Sequence, residues 1–123
     1  MKTLIYIGGI YHVAFAIFHL LFWRLFDWKN DLKSLSFINR NVIQILNLRL
    51  IYVALVFAYI SFFHAGDLLT TKIGKVLLLA IGLFWFLRAV EQRVFFGLKT
   101  SLSIAFFVIF LFGSAIYFYP ALF

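Results

Sequence analysis

The chain has 123 residues, 66% of them hydrophobic and 12% charged, with a formal net charge of +7 and a mean hydropathy of +1.09. A soluble fold of this length leaves too much surface in water to hide so many apolar side chains, which excludes an ordinary soluble domain and points to lipid as the solvent. Without cysteine there are no disulfides, thiolate metal sites or iron–sulfur clusters, and no Gly-rich phosphate loop, HExxH or GxSxG motif is present.

The first predicted element is a membrane span, Leu4–Phe26. Lys2 ahead of an apolar run resembles a signal peptide, but the run is too long for one and no small-residue cleavage site follows. Within it, His12 and His19 are seven residues apart, so both fall on one stripe with Gly8, Phe15, Ala16 and Trp23. The following segment, "LFDWKNDLKSLSF", repeats Leu25, Trp28, Leu32 and Leu35 at helical spacing with charges between them. That pattern predicts a short amphipathic element in the headgroup region.

The second span, Val42–Phe63, carries a stripe of Arg40, Gln44, Asn47, Ile51, Ala54 and Ala58, with Arg49 on nearly the opposite face. Its small residues permit close helix approach. "HAGDLLTTK", with Gly66 and Thr70–Thr71, then reads as a short turn with His64 at the surface. The third span, Ile73–Phe96, places Arg88, Glu91, Gln92 and Phe95 together; the fourth is Ser101–Tyr119, followed by Pro120. The expected fold is an all-α integral membrane protein, one domain over residues 1–123, with four short-linked helices in an up-and-down bundle.

Basic residues divide unevenly between the two sides. Arg24, Lys29, Lys33 and Arg40 surround the first loop and Arg88, Arg93 and Lys99 the third, against Lys2, Lys72 and Lys75 on the other side. The positive-inside rule therefore puts loops one and three in the cytoplasm and both termini outside. Ile/Phe/Lys/Asn-rich wording points to a bacterial inner (cytoplasmic) membrane. The size and four-span layout look like those of small bacterial inner-membrane proteins, DoxX-like ones among them, although no motif carries residue roles over.

Depth can be counted at about 1.5 Å per helical residue from the outer face. On that scale His19 lies at about 22 Å, Asn47 at about 24 Å, Arg49 at about 21 Å, Arg88 at about 22 Å, Glu91 at about 27 Å and Ser103 at about 24 Å. Every helix thus supplies a polar group at one level. With His12, Gln44 and Gln92 these residues form the candidate site. Each has an ordinary structural reading: Asn47, Gln44 and Gln92 as interhelical hydrogen-bond donors and acceptors, Arg88 with Glu91 as a neutralising pair, and His12 as a neutral packing residue. Ionisable groups inside a bilayer are nonetheless functional-site hypotheses by default.

The function expected first is a binding or accessory subunit that holds an anionic lipid, a small ligand or a membrane partner at this cluster, because two arginines face a single acid. A proton- or ion-coupled carrier working as an oligomer is the second reading, although no span is broken inside the bilayer except near Gly8–Gly9. A quinone- or haem-associated redox subunit is a third. Bis-histidine haem needs two histidines on different helices at one depth, and the three here do not supply them. A lipid-modifying enzyme with His19 as base and Glu91 as its orienter is a fourth. No cofactor and no metal are expected, since Glu91 is the sole intramembrane acid. The expected partners are membrane lipids and a homo-oligomer or larger membrane complex, and nucleic acid is not among them. A single cysteine at Ala121 should react with an impermeant thiol reagent from outside, and one at Ser34 only after cells are opened; the reverse labelling would invert the topology.

Overall fold

In hydrocarbon no water is available to backbone N–H and C=O groups, so each span must satisfy its own, and a helix does so. The computed structural model describes residues 1–123 and contains helices and turns but no strand. The elements are α1 (Lys2–Leu20), α2 (Phe22–Leu25), α3 (Trp28–Asp31) with a 3-10 turn at Leu32–Ser34, α4 (Phe37–Phe63), α5 (Ala65–Thr70), α6 (Lys72–Glu91) running into a π-turn at Gln92–Phe96, and α7 (Ser101–Leu122). Four segments, α1, α4, α6 with its π-turn, and α7, are long and apolar enough to cross a membrane. The chain is an all-α four-helix bundle of integral-membrane character.

The span limits differ from the apolar runs, and polar caps account for most of the difference. Ser36 accepts the Asn39 amide at 3.3 Å and starts α4 ahead of Val42. Thr71 and Thr100 accept the amides of Gly74 and Ser103 in the same way and start α6 and α7. The first span stops at Leu20 rather than Phe26. At Leu21 the amide is shared between the Ile17 and Phe18 carbonyls, and Asp27 then adopts a left-handed conformation (φ 49°). That turn folds Trp28 back edge-on to Phe22 and Trp23. The amphipathic segment is accordingly two short turns, with Leu32 buried and Leu25 exposed. Pro120 lies inside α7 instead of after it. In the last turn its missing N–H frees a single carbonyl, that of Ile116. The link between α4 and α6 is helical as α5, with Ala65 and Leu68 buried.

Helix α1 packs along α4, and α6 along α7; α1 also meets α7, while α4 and α6 hardly touch. The bundle is therefore two antiparallel hairpins laid side by side. Each helix buries a stripe at seven-residue spacing: Ile5, His12 and His19; Asn47, Ala54 and Ser61; Leu78, Trp85 and Gln92; Ser103, Phe110 and Tyr117. A strict seven-residue repeat keeps one seam facing its neighbours. The apolar core is concentrated in the half near the chain ends, around Ile5, Leu68, Leu78, Ile81, Ile116 and Tyr117.

A polar chain joins all four helices there. Trp85 Nε1–H donates to His12 Nε2 at 2.8 Å. That acceptor role puts the imidazole hydrogen on Nδ1, which donates to the Gly8 carbonyl at 2.8 Å and lies 3.0 Å from the Tyr117 hydroxyl. Tyr117 in turn bonds Ser61 Oγ at 2.7 Å. His12, Trp85, Tyr117 and Ser61 are all wholly buried. Gly8 makes this possible: a Cβ there would collide with the Tyr117 ring.

Trp85→Phe keeps an aromatic ring but strands the His12 Nε2 lone pair. It should destabilise the bundle by about 1–3 kcal/mol, measured as denaturant unfolding in detergent. Phe118→Leu, at a half-buried position outside this network, serves as the control. Because Ala121 is buried, the outer reporter cysteine belongs at Phe123, which is 85% exposed.

Candidate ligand-binding cleft

Away from the hub the two hairpins part, and the polar residues of the other half gather around the gap. His19 is sandwiched between Phe15 and Phe22, with ring centroids 4.0 and 4.1 Å away. Asn47, across the α1–α4 seam, donates from Nδ2 to the His19 backbone carbonyl at 2.8 Å and accepts from His19 Nδ1 through Oδ1 at 2.7 Å. A carboxamide oxygen only accepts, so this reciprocal pair puts the His19 hydrogen on Nδ1 and fixes the ring.

The ring forms one wall of a cavity of 490 Å³ between α1, the end of α6 and the start of α7. Phe15, Phe18, Phe22, Phe26, Phe96, Phe106 and Phe110 line it, joined by Leu102. Among them are set Arg88, Gln92, Thr100 and Ser103. A mostly apolar pocket with a few converging polar groups is the usual form of a ligand site.

The π-turn shapes its floor. Arg88, Gln92 and Phe96 recur at four-residue spacing, and all three line the cleft. Gly97 ends the turn at φ 73° and ψ 176°, a conformation essentially confined to glycine. Its carbonyl accepts the Ser103 hydroxyl. Ser103 Oγ, with its hydrogen so committed, accepts from Gln92 Nε2 at 2.9 Å. Single π-turns inside α-helices are frequent at functional sites.

Arg88 is half-buried, with its guanidinium carbon 4.5 Å from the Phe110 centroid and 6.0 Å from that of Phe96. No hydrogen bond or ion pair from the protein reaches it; the one contact of ion-pair length is His64–Asp67, at 3.4 Å in the exposed turn between α4 and α6. The geometry therefore offers a cation held by aromatic faces and open to an external anion.

Of the predicted site residues, His19, Arg88, Gln92 and Ser103 line this cleft and Asn47 supports it. Gln44 stands on the α1–α4 seam, accepting from Trp23 Nε1 at 2.9 Å and donating to the Arg40 carbonyl at 3.1 Å. His12 belongs to the hub, with a protein partner on each ring nitrogen. Two of the predicted residues lie outside the cleft. Arg49 is exposed on the face opposite Asn47, as its spacing gave, and set against the Tyr52 ring at 5.9 Å. Glu91 is exposed and makes no ion pair with Arg88; one helical step takes it and Phe95 off the face that holds Arg88 and Gln92.

Sequence reading missed Trp85 and Tyr117 as partners of His12 and Ser61 as the partner of Tyr117, together with the phenylalanine walls and Thr100. The seven-residue stripes through His19, Asn47, Gln92 and Ser103 were the available signal for the first three. No family model matches the chain, and no curated protein or solved structure is similar to it; the site is read on its own geometry. Asn47→Leu should destabilise the protein by about 1–3 kcal/mol because it leaves the His19 Nδ1–H unpaired and removes the side-chain donor to the His19 carbonyl. Arg49→Leu should stay within about 0.5 kcal/mol of the parent, as a surface substitution does. Parallel unfolding curves in detergent test both.

Proposed function

We propose that this integral membrane protein is a binding or accessory subunit that holds an anionic lipid between its two hairpins. The lipid's charged oxygen lies at Arg88 and its chain among the cleft phenylalanines. The observation that carries this reading is Arg88 itself, inside an aromatic cleft with no carboxylate within 4 Å. An arginine in mid-membrane is unfavourable by roughly 2.5–3.5 kcal/mol on insertion scales. An anion beside it offsets that term and adds charge-assisted, often bidentate hydrogen bonds.

Two further features support the reading. The cleft residues Phe26, Phe96 and Leu102 are largely exposed, so the cavity communicates with the surrounding bilayer and a lipid has a lateral route in. The loop charges, taken with the positive-inside rule, favour the cytoplasmic side for this end. On this reading the occupant comes from the inner leaflet.

A proton-relay or lipid-modifying role has less support in the geometry. The Ser103 hydroxyl is engaged with Gly97 and Gln92, and no hydroxyl group lies within hydrogen-bond distance of His19. Native mass spectrometry of the protein, released from neutral detergent micelles with equal amounts of phosphatidylglycerol and phosphatidylcholine, tests the proposal. The parent and Arg49→Gln should retain phosphatidylglycerol preferentially, and Arg88→Gln should lose the preference. Loss in Arg49→Gln with retention in Arg88→Gln would place the anion elsewhere and reject the proposal.

A further inference from the structure

Arg88 accounts for an anion, but two acceptor atoms that open onto the same cleft have no protein partner. Asn47 fixes the His19 hydrogen on Nδ1, so Nε2 carries a bare lone pair, and no protein donor reaches it. Ser103 gives its hydrogen to the Gly97 carbonyl and takes one from Gln92 Nε2, which orients the Gln92 amide and leaves Oε1 with no donor. Both side chains line the cavity, and both residues are more than nine-tenths buried, at 8% and 4% exposure. Arg88, the nearest strong donor group in the lining, bonds neither. Acceptors placed in an apolar cleft are unfavourable until something donates to them.

Resting on the anionic-lipid reading, we infer that the occupant's head group carries hydroxyl donors beside its phosphate: a phosphodiester of the glycerol type, with one hydroxyl donating to His19 Nε2 and another to Gln92 Oε1. A fatty-acid carboxylate would satisfy Arg88 and leave both acceptors empty. A choline head has no donor. An ethanolamine head has donors but brings a second cation into a cleft that already holds Arg88 and is lined by no carboxylate. A hydroxylated phosphodiester meets all three groups at once.

The test compares lipids of identical chains and charge that differ only in these hydroxyls. Phosphatidylglycerol and phosphatidylmethanol, each titrated onto the full-length protein in neutral detergent and read by native mass spectrometry, should differ about tenfold in retention, as two modest hydrogen bonds allow. Gln92→Met should bring phosphatidylglycerol down toward phosphatidylmethanol and leave phosphatidylmethanol unchanged, whereas Arg88→Gln should lower both. Since Gln92→Met also removes a partner of Ser103, the parent protein supplies a second measurement. The nitrogen-15 resonance of His19 Nε2 should move on adding phosphatidylglycerol and stay in place with phosphatidylmethanol. Equal retention of the two lipids, both dependent on Arg88, would overturn the hydroxyl assignment while the anion reading stood. Retention independent of Arg88 would remove both.

Discussion

One imidazole organises this bundle. Between helices in a bilayer there is little hydrophobic driving force, because lipid tails are as apolar as leucine, and association depends on close packing and interhelical hydrogen bonds. His12 uses both ring nitrogens, one toward Trp85 on α6 and one toward its own Gly8 carbonyl and Tyr117 on α7, with Ser61 of α4 completing the chain. No water competes for these groups, so their mutual satisfaction selects one arrangement of four helices. The absence of a Cβ at Gly8 is part of the same constraint, since it lets the Tyr117 ring reach the histidine.

The placement of the cleft follows from where that hub sits. Helices α4 and α6 hardly touch, so the hairpins are held mainly by the hub, the α1–α7 contact and the α5 turn. Core side chains crowd the half near the chain ends, and the other half is left to a few polar residues and rings. Seven residues along α1, about 10 Å, separate a histidine whose nitrogens are both occupied from one whose Nε2 is free. Identical side chains on one stripe therefore have different roles, determined by what stands opposite: Trp85 and Tyr117 in one case, Asn47 and open space in the other.

Much of the architecture was legible because lipid imposes simple rules: long apolar runs, small residues along seams and few ionisable groups. The cluster was half legible. Counting depth along each helix brought His19, Asn47, Arg88 and Ser103 to one level, and those four do surround or support the cleft. Depth drew in Arg49 although its spacing set it opposite Asn47, and it drew in Glu91 because three-residue spacing put it beside Arg88; both are exposed. The phenylalanine walls were not legible at all, since in a membrane an apolar side chain suits the cleft and the lipid face equally. The starts of α4, α6 and α7 were written in Ser36, Thr71 and Thr100, but the onset of apolar residues obscured them.

The π-turn at Gln92–Phe96 makes this corner sensitive to length rather than to composition. A π-turn is wider than an α-turn, so deleting a single residue there would change the turn that delivers the chain to Gly97. Gly97 would leave the one backbone conformation that presents its carbonyl to Ser103, and α7 would enter the bundle out of phase with α6. Conservative replacements at Val94 or Phe95, both exposed, leave that phase untouched. The exposed Lys33–Ser34 turn lines neither the cleft nor the hub, so among descendants of this sequence insertions and deletions should accumulate there and be absent from the α6–α7 corner.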